Sequence, residues 1–199
     1  MIVEATDLKE SDRQLWFSAV RLAEQASGTF RAALHDTDLQ HLFDYWLYLS
    51  RNHGAAKSAF DPLAVSPMLG HVQIFEALDD NRIRVRLSGT HANGMIGHDV
   101  TGSFLEDYIS HDHTAVRYFL YHQVCKRGTP LFYTDSVRVD HRDIFWSRRL
   151  LTPLYDDLGV CRYLYSAVKL HTPVNFRSDN ELLDIGLAGP DDLTVGQPD

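Results

Sequence analysis

Apolar residues recur along this chain first at the period of a helix and then at the period of a β-strand. Between Thr37 and Gly54 they stand three or four positions apart and predict an amphipathic helix. The members of this stripe are Leu39, Leu42, Phe43, Trp46 and Leu49. A capping-box pattern begins at Thr37, and Gly54 favours the end of the helix. An earlier helix is predicted from Ser11, with Leu15 and Trp16 among its apolar residues.

The later part of the chain alternates apolar and polar residues, which is typical of strands in a half-covered sheet. Five strands are predicted, over residues 72–78, 82–88, 130–139, 144–154 and 161–170. A helix over residues 112–127 stands between the second and third strands. Runs of strands separated by helices favour the α+β class, with an antiparallel sheet and helices packed on one face.

A glycine-rich stretch, RLSGTHANGMIGHDVTGSFLEDYI, follows the second predicted strand. Gly89 and Gly94 have the spacing of a phosphate-binding loop, but Met95 and Ile96 stand where that loop needs Lys and Ser or Thr. The dinucleotide pattern Gly-x-Gly-x-x-Gly is also absent from the sequence. These glycines are therefore interpreted as turn residues between short helices.

Composition and charge limit the classes of function. The 199 residues are 44% hydrophobic, which suits one globular domain with extensions. A net charge of -8 argues against a nucleic-acid partner, because phosphate binding needs clustered Lys and Arg. No apolar run reaches the length of a membrane helix, so we expect no membrane association and a cytoplasmic protein. Cys125 and Cys161 are interpreted as two isolated thiols.

Charge also marks the end of the chain. Acidic residues dominate it against a single Arg177, namely Asp179, Glu181, Asp184, Asp191, Asp192 and Asp199. Because this segment is also poor in aromatic residues, residues 174–199 are predicted to be an acidic flexible tail. The other expected units are N-terminal flanking helices over residues 1–54 and a core domain over residues 55–173.

Histidine density offers one catalytic hypothesis. A small metal-dependent enzyme would draw its ligands from His111, His113, His122 and His141. On an ideal helix His113 and His122 point in opposite directions, which disfavours a shared ion. We therefore expect no metal site and no catalytic residue, and the enzyme is kept as the alternative.

Aromatic residues of the late strands and helices are numerous enough to line an apolar cavity between helices and sheet, although they could equally fill a core. Arg84, Arg86, Arg148 and Arg149 could contact an anionic ligand or the N-terminal helices, although such residues most often form solvated or salt-bridged faces. The predicted ligand-binding residues are Phe104, Tyr108, Phe119, Tyr133, Trp146, Arg148 and Tyr163.

Several local patterns, taken in order, resemble a family of single PAS domains found in alphaproteobacteria. These are LFDYWLYLSRNH, FDPLAVSPMLGHVQIFEAL, RVRLSGTHANGMIGHDVTGSFLEDY and RLLTPLYDDLGVCRYLYSAV. They match the family's Trp…Arg helix, Asp-Pro turn, Arg-x-x-Gly-Thr strand end, Thr-Gly-x-x-Leu helix entry and Pro-Leu…Asp-x-Gly hairpin. The resemblance implies a PAS fold, a five-stranded antiparallel sheet in the order 2-1-5-4-3 with a pocket over its inner face.

PAS domains sense or dimerise rather than catalyse, so the resemblance implies a stand-alone sensory or adaptor protein with a signalling protein partner. A homodimer is expected, with its surface on the N-terminal helices at Leu15, Trp16, Leu42 and Trp46. The ligand is unknown, with a small metabolite as one candidate. Flavin photochemistry is excluded because the stretch from Val100 to Leu105 lacks the cysteine of photoactive relatives. Haem is disfavoured because His122 lies opposite the apolar stripe of its helix.

Overall fold

A computed structural model of the protein describes residues 30–109, 111–139, 143–171 and 184–187. The α-helices within these ranges are α1 (Phe30–Ala33), α2 (Thr37–His53), α3 (Thr90–Ile96) and α4 (His111–Arg127). Short 3₁₀ segments occur at Lys57–Ala59, Pro62–His71 and Leu105–Asp107. The helix predicted from Ser11, including Leu15 and Trp16, lies outside the described residues.

The strands form a single antiparallel sheet. They are β1 (Val72–Ala77), β2 (Ile83–Ser88), β3 (Leu131–Val139), β4 (Asp143–Tyr155), β5 (Cys161–His171) and β6 (Asp184–Leu187). Their spatial order is β2-β1-β5-β4-β3-β6. The predicted α+β class and the order 2-1-5-4-3 are therefore confirmed.

The sixth strand corrects the expectation of a flexible tail over residues 174–199. β6 pairs with β3 from Leu131↔Leu187 to Thr134↔Asp184. Without it, β3 would be an edge strand with unpaired backbone groups, which readily accept another strand. The sequence analysis missed β6 because acidic residues dominate this segment and its apolar alternation is limited to Ile185 and Leu187.

Local capping explains the bounds of α2. Asp36 rather than Thr37 is the N-cap, and its carboxylate accepts hydrogen bonds from the backbone N–H groups of Asp38 and Leu39, each at 3.0 Å. The predicted start is thus one residue late. Gly54 ends the helix in the left-handed conformation, at φ 59°, as its position in the sequence predicts.

Helices cover both faces of the sheet, whereas the sequence predicts one covered face. The inner face carries α4, and its buried residues, the inner cluster, include Phe75, Val85, Leu105, Phe119, Leu120, Tyr121, Val124, Leu131, Tyr133, Leu151 and Leu164. The outer face carries α1 and α2, and its outer cluster includes Phe30, Leu39, Leu42, Phe43, Trp46, Val72, Phe132, Leu150, Leu154, Tyr165 and Ala167. Alternate residues of the central strands serve the two clusters, so the apolar stripe of α2 forms a second core layer.

This second layer corrects the expected position of two partner-surface residues. Leu42 is 0% exposed and Trp46 is 2% exposed. Trp46 also donates a buried hydrogen bond of 2.8 Å from Nε1 to the carbonyl oxygen of Pro153 on β4. Both side chains therefore fasten α2 to the sheet and offer no surface to a second chain. The homodimer itself stays a prediction.

Candidate functional site

A chain of hydrogen-bonded polar side chains crosses the inner face of the sheet. Arg149 on β4 donates from Nη1 to Oε1 of Gln73 on β1 at 2.7 Å and to Oγ of Ser166 on β5 at 3.2 Å. Gln73 donates from Nε2 to Oγ of Ser88 on β2 at 3.0 Å. The register of the strands explains this series of hydrogen bonds, because Gln73 lies directly opposite both Ser166 and Ser88.

The side chains that Arg149 joins on the inner face are almost completely buried. Arg149 is 5% exposed, Gln73 is 2% exposed and Ser166 is 0% exposed. A guanidinium group loses much of its hydration in such a place and depends on hydrogen-bond acceptors for its stability. The contacts with Gln73 and Ser166 also fix its orientation. The inner face therefore presents an oriented cationic group in a largely apolar setting.

Tyr121 of α4 adds a second polar feature to the inner face. Its side chain is fully buried, and its ring packs on Phe75 with the centroids 4.9 Å apart. Its hydroxyl group has no hydrogen-bond partner among the residues that the structure describes. An unsatisfied buried hydroxyl costs about 1–3 kcal/mol, so each one calls for an explanation.

Tyr108 packs against the same inner cluster, and its neighbours affect the ionisation of its hydroxyl group. Burial raises the pKa of the Tyr108 phenol, and neighbouring Tyr121 raises it further. Arg149 and Arg117 act in the opposite direction and lower that pKa. Arg149 and Arg117 therefore favour the ionised form of the Tyr108 phenol, although burial outweighs them.

Three of the predicted ligand-binding residues meet at this site. Phe119 and Tyr133 belong to the inner cluster at 3% and 1% exposure, and Tyr108 packs against it. Phe119 comes from α4 and Tyr133 from β3, so their side chains approach from opposite sides of the inner space. Whether they contact a ligand stays a prediction.

Three others lie elsewhere. Phe104 packs at the edge of β2, where its ring centroid is 4.0 Å from Cζ of Arg82. Arg148 donates to the carbonyl oxygen of His35 at 3.4 Å, between α1 and α2 on the outer side. Tyr163 packs against the outer cluster and donates to Oε1 of Glu76 at 3.3 Å. Arg148 and Tyr163 point away from the inner face because residues at alternate positions of a strand face opposite sides, whereas Phe104 lies outside the strands.

Trp146 lies in β4 opposite Ser136 of β3 and His171 of β5. Its side chain lies outside the part of the chain whose side chains the structure describes. Its predicted contact with a ligand is therefore untested.

Sequence reasoning missed Gln73, Tyr121 and Ser166, and it named Arg149 only as one of four arginines that could contact an anionic ligand. The alternation of β4 indicates the face of each arginine. Arg149 stands two positions before Leu151 of the inner cluster, and Arg148 stands two positions before Leu150 of the outer cluster. Nothing local marks Gln73 and Ser166, because the pairing of β1 with β5 brings them together.

The histidine hypothesis gains no support from the geometry. Within the described residues, no group of three or more His, Cys, Asp or Glu side chains is placed to hold a metal ion. The Nε2 atom of His122 lies 3.1 Å from the carbonyl oxygen of Asn81 and is engaged there. The side chains of His111 and His113, and all of His141, lie outside what the structure describes.

A sequence model described as a PAS domain matches residues 34–165, which is more than half of the chain. The chain belongs to the PAS domain family. The match begins before α2, so it includes the helix that the sequence analysis placed outside the core domain. A comparison with proteins of curated function gave no match.

Two solved structures are among those that match part of this chain. One is an RNA-binding light-oxygen-voltage receptor, at 13% identity and a TM-score of 0.39, covering 59% of this chain and 34% of that one. The other is a sensory box histidine kinase/response regulator from Burkholderia thailandensis E264. It has 18% identity and a TM-score of 0.32, covering 55% of this chain and 82% of that one.

Family membership places the protein among sensory signalling domains, which are generally not catalysts. The inner face, with Arg149 and Tyr121, is the face that the predicted PAS pocket would use. Within the described residues, no helix combines the length and apolar character needed to cross a membrane.

Proposed function

We propose that this PAS domain is a non-catalytic sensory domain that binds a small organic acid on the inner face of its sheet. One observation carries the proposal. A buried and oriented guanidinium, Arg149, bonds to Gln73 of β1, and a buried hydroxyl without a described partner belongs to Tyr121, whose ring packs on Phe75, the next inner-face residue of β1. Small-molecule sites typically combine an apolar lining with a few placed polar groups of this kind.

The chemistry of these groups selects an anion with acceptor oxygens. A guanidinium is planar and always charged, and its N–H groups match the geometry of a carboxylate. Its bonds to Gln73 and Ser166 hold it in position before any ligand arrives. The Tyr121 hydroxyl would donate to an oxygen of the ligand and so lose its desolvation penalty. The rings of Phe75 and Phe119 would contact the apolar part of the acid.

A ligand at this site would act on the outer layer through the sheet. Arg149 lies four residues before Pro153 in β4, and the Pro153 carbonyl accepts the hydrogen bond of Trp46. A small shift of β4 would therefore reach α2 through a buried contact. We propose that a signalling protein partner, or a second copy of this chain, reads the position of α2 and the segment before it.

Native mass spectrometry of freshly purified protein tests the proposal. We expect an adduct that is released on denaturation and has the mass of a small carboxylic acid. The adduct should be lost in Arg149→Met and retained in Arg148→Met, which removes the neighbouring arginine on the other face. Tyr121→Phe provides a second variant that preserves packing. A neutral adduct, or one equally retained in all three variants, would contradict the proposal.

A further inference from the structure

The fold brings together the two thiols of the chain, which the sequence analysis interprets as isolated. Cys125 lies in the last turn of α4, and Cys161 is the first residue of β5. Both are free, partly buried thiols, and the neighbouring Cys161 thiol raises the pKa of Cys125. Cys161 makes a long contact of 3.9 Å from Sγ to the carbonyl oxygen of Tyr163.

Backbone packing around Tyr155 independently places these two elements in contact. Tyr155 is the register partner of Cys161 at the β4–β5 hairpin. Its hydroxyl oxygen reaches the residue that follows α4, since a Cβ on Gly128 would lie 2.6 Å from it. Gly128 has φ 65°, so glycine satisfies both the close approach and the left-handed backbone there. The last turn of α4 thus rests on the same residue that pairs with Cys161.

We propose that Cys125 and Cys161 form a reversible intramolecular disulfide when the protein meets a peroxide oxidant. No larger rearrangement of the chain is needed, because the two thiols belong to elements that already meet around Tyr155. Disulfides of intracellular proteins are characteristically transient and redox-sensing, whereas secreted domains use several permanent ones. A single pair at the junction of a helix and a hairpin fits the first pattern.

The two sulfurs have different roles in the reaction. Cys125 packs against the inner cluster, and burial together with the Cys161 thiol raises its pKa, so it stays protonated at rest. Cys161 stands at the base of an exposed hairpin in which Leu158 is 86% exposed. Because Cys125 packs in the inner cluster and Cys161 follows this exposed hairpin, we assign the first attack to Cys161 and the resolving role to Cys125.

The steps balance with peroxide as the only co-reactant. The Cys161 thiolate attacks one peroxide oxygen, the O–O bond breaks, and a sulfenic acid and a hydroxide ion form. The Cys125 sulfur then attacks the Cys161 sulfur, the S–S bond forms, and the S–O bond breaks. The displaced hydroxide takes the Cys125 proton and leaves as water. The two thiols lose two electrons in total, which the peroxide accepts, and a dithiol reductant reverses the reaction.

Such a bond would also affect the outer layer that contains α2, through which we propose that the domain signals. It would fasten α4 to β5 beside Tyr155, whose backbone N–H donates to the carbonyl oxygen of Ala55 at 3.0 Å. Ala55 follows Gly54, the C-cap of α2. The disulfide would therefore fix the inner helix next to the point where the outer helix joins the sheet. This modification is independent of any ligand at Arg149.

Peptide mapping after treatment with hydrogen peroxide tests the proposal. The oxidised protein should lose the mass of two hydrogen atoms, and its digest should contain one peptide pair that joins Cys125 to Cys161. Dithiothreitol should restore both thiols. The bond should also raise the Tm by about 5–10 °C relative to the reduced protein, because it closes a long loop of the unfolded chain.

Single variants complete the test. In Cys125→Ala, peroxide should leave a trappable sulfenic acid on Cys161, whereas Cys161→Ala should protect Cys125 from oxidation. Both variants should lack the Tm increase. Intermolecular disulfides without the internal peptide pair, or independent oxidation of both cysteines to sulfinic acids, would overturn the proposal. Loss of the acid adduct in Arg149→Met has no bearing on this outcome.

Discussion

Arg149 and Gln73 are joined by a hydrogen bond of 2.7 Å although 75 residues separate them in the chain. The pairing of β4 with β5 and of β5 with β1 creates this contact, and burial makes it costly to lose. Replacing Arg149 would remove the donor to the amide oxygen of Gln73 and to the hydroxyl oxygen of Ser166. The same guanidinium is the centre of the proposed ligand site, so its structural and functional roles need separate tests.

We expect Arg149→Met to reduce the free energy of unfolding by about 2–4 kcal/mol, the cost of two buried polar groups that lose a partner. Arg148→Met is the matched control, because its described hydrogen bond is a 3.4 Å contact to His35 on the other face. It should cost less than about 1 kcal/mol. Urea unfolding monitored by tryptophan fluorescence measures both values. Equal losses in the two variants would contradict the assignment of faces.

Trp46 should be a stability residue of the outer layer. Trp46→Phe removes the donor to the Pro153 carbonyl and leaves a small cavity, so we expect a loss of about 2–3 kcal/mol in unfolding free energy. Tyr48→Phe on the same helix is the control, since Tyr48 is 54% exposed and should change stability by less than about 0.5 kcal/mol. If Trp46→Phe left stability unchanged but dissociated a dimer, Trp46 would belong to an interface between chains.

Two glycines of the stretch between β2 and α4 should respond to alanine with opposite signs. A Cβ on Gly89 would lie 2.2 Å from the carbonyl oxygen of Leu69, so the backbone would have to move. Gly89→Ala should therefore cost about 2 kcal/mol or more. Gly94 lies inside α3 with nothing within 4 Å of its Cβ position. Gly94→Ala should raise stability by about 0.5–1 kcal/mol, measured by the same urea unfolding.

Acid should weaken the fold through two histidines. Burial lowers the pKa of His71 and of His122 below the usual 6.5, although the Val168 and Asn81 carbonyls oppose this shift. Below about pH 6.5 the unfolded chain therefore binds more protons than the folded chain, and stability falls as the pH decreases. Lys169 and His91 add to the shift at His71, whereas Asp38 opposes it.

Urea unfolding between about pH 7.5 and about pH 5.5 measures this loss. The double variant His71→Gln/His122→Gln should show a flatter profile than the unaltered protein. Exposed His41→Gln, combined with exposed His53→Gln, is a control that should preserve the slope. An unchanged slope in the buried double variant would show that other groups control the acid response.

The sequence predicts most of the sheet because alternation and turn residues are local signals. The bounds of β1 and β2 agree with the prediction to within a residue at each end, and the order of five strands is confirmed. β6 was missed because its pairing with β3 depends on an open strand edge, which a charge pattern does not reveal. The face covered by α2 was also missed, since an apolar stripe fits a dimer and a second core layer equally well.

The site was harder to predict because its residues come together only when the strands pair, and because each strand has two faces. Aromatic character does not distinguish the two faces of a sheet. It selected Tyr108, Phe119 and Tyr133, which pack with the inner cluster, together with Tyr163, which packs against the outer one. Arg148, which the sequence predicts to bind a ligand, lies on the opposite face of β4 from Arg149, because a difference of one position in a strand reverses the face. Gln73 and Ser166 become recognisable only when the strands pair.

Tyr121 provides the most direct test of the proposed ligand site, because its two expected effects have opposite signs. Tyr121→Phe removes a buried hydroxyl without a described partner, so the ligand-free protein should gain about 1 kcal/mol of stability or remain unchanged. The same change should weaken binding of an acid about tenfold, through the lost hydrogen bond.

The deciding measurement compares the Tm of the unaltered protein and of Tyr121→Phe with acetate, succinate and benzoate, each against its neutral amide. We predict that at least one carboxylate raises the Tm of the unaltered protein by about 5 °C at about 100 times its Kd, while its amide does not. Tyr121→Phe should then need about ten times more acid for the same shift. Equal shifts from acids and amides, or a full response in Tyr121→Phe, would contradict an organic-acid site on the inner face.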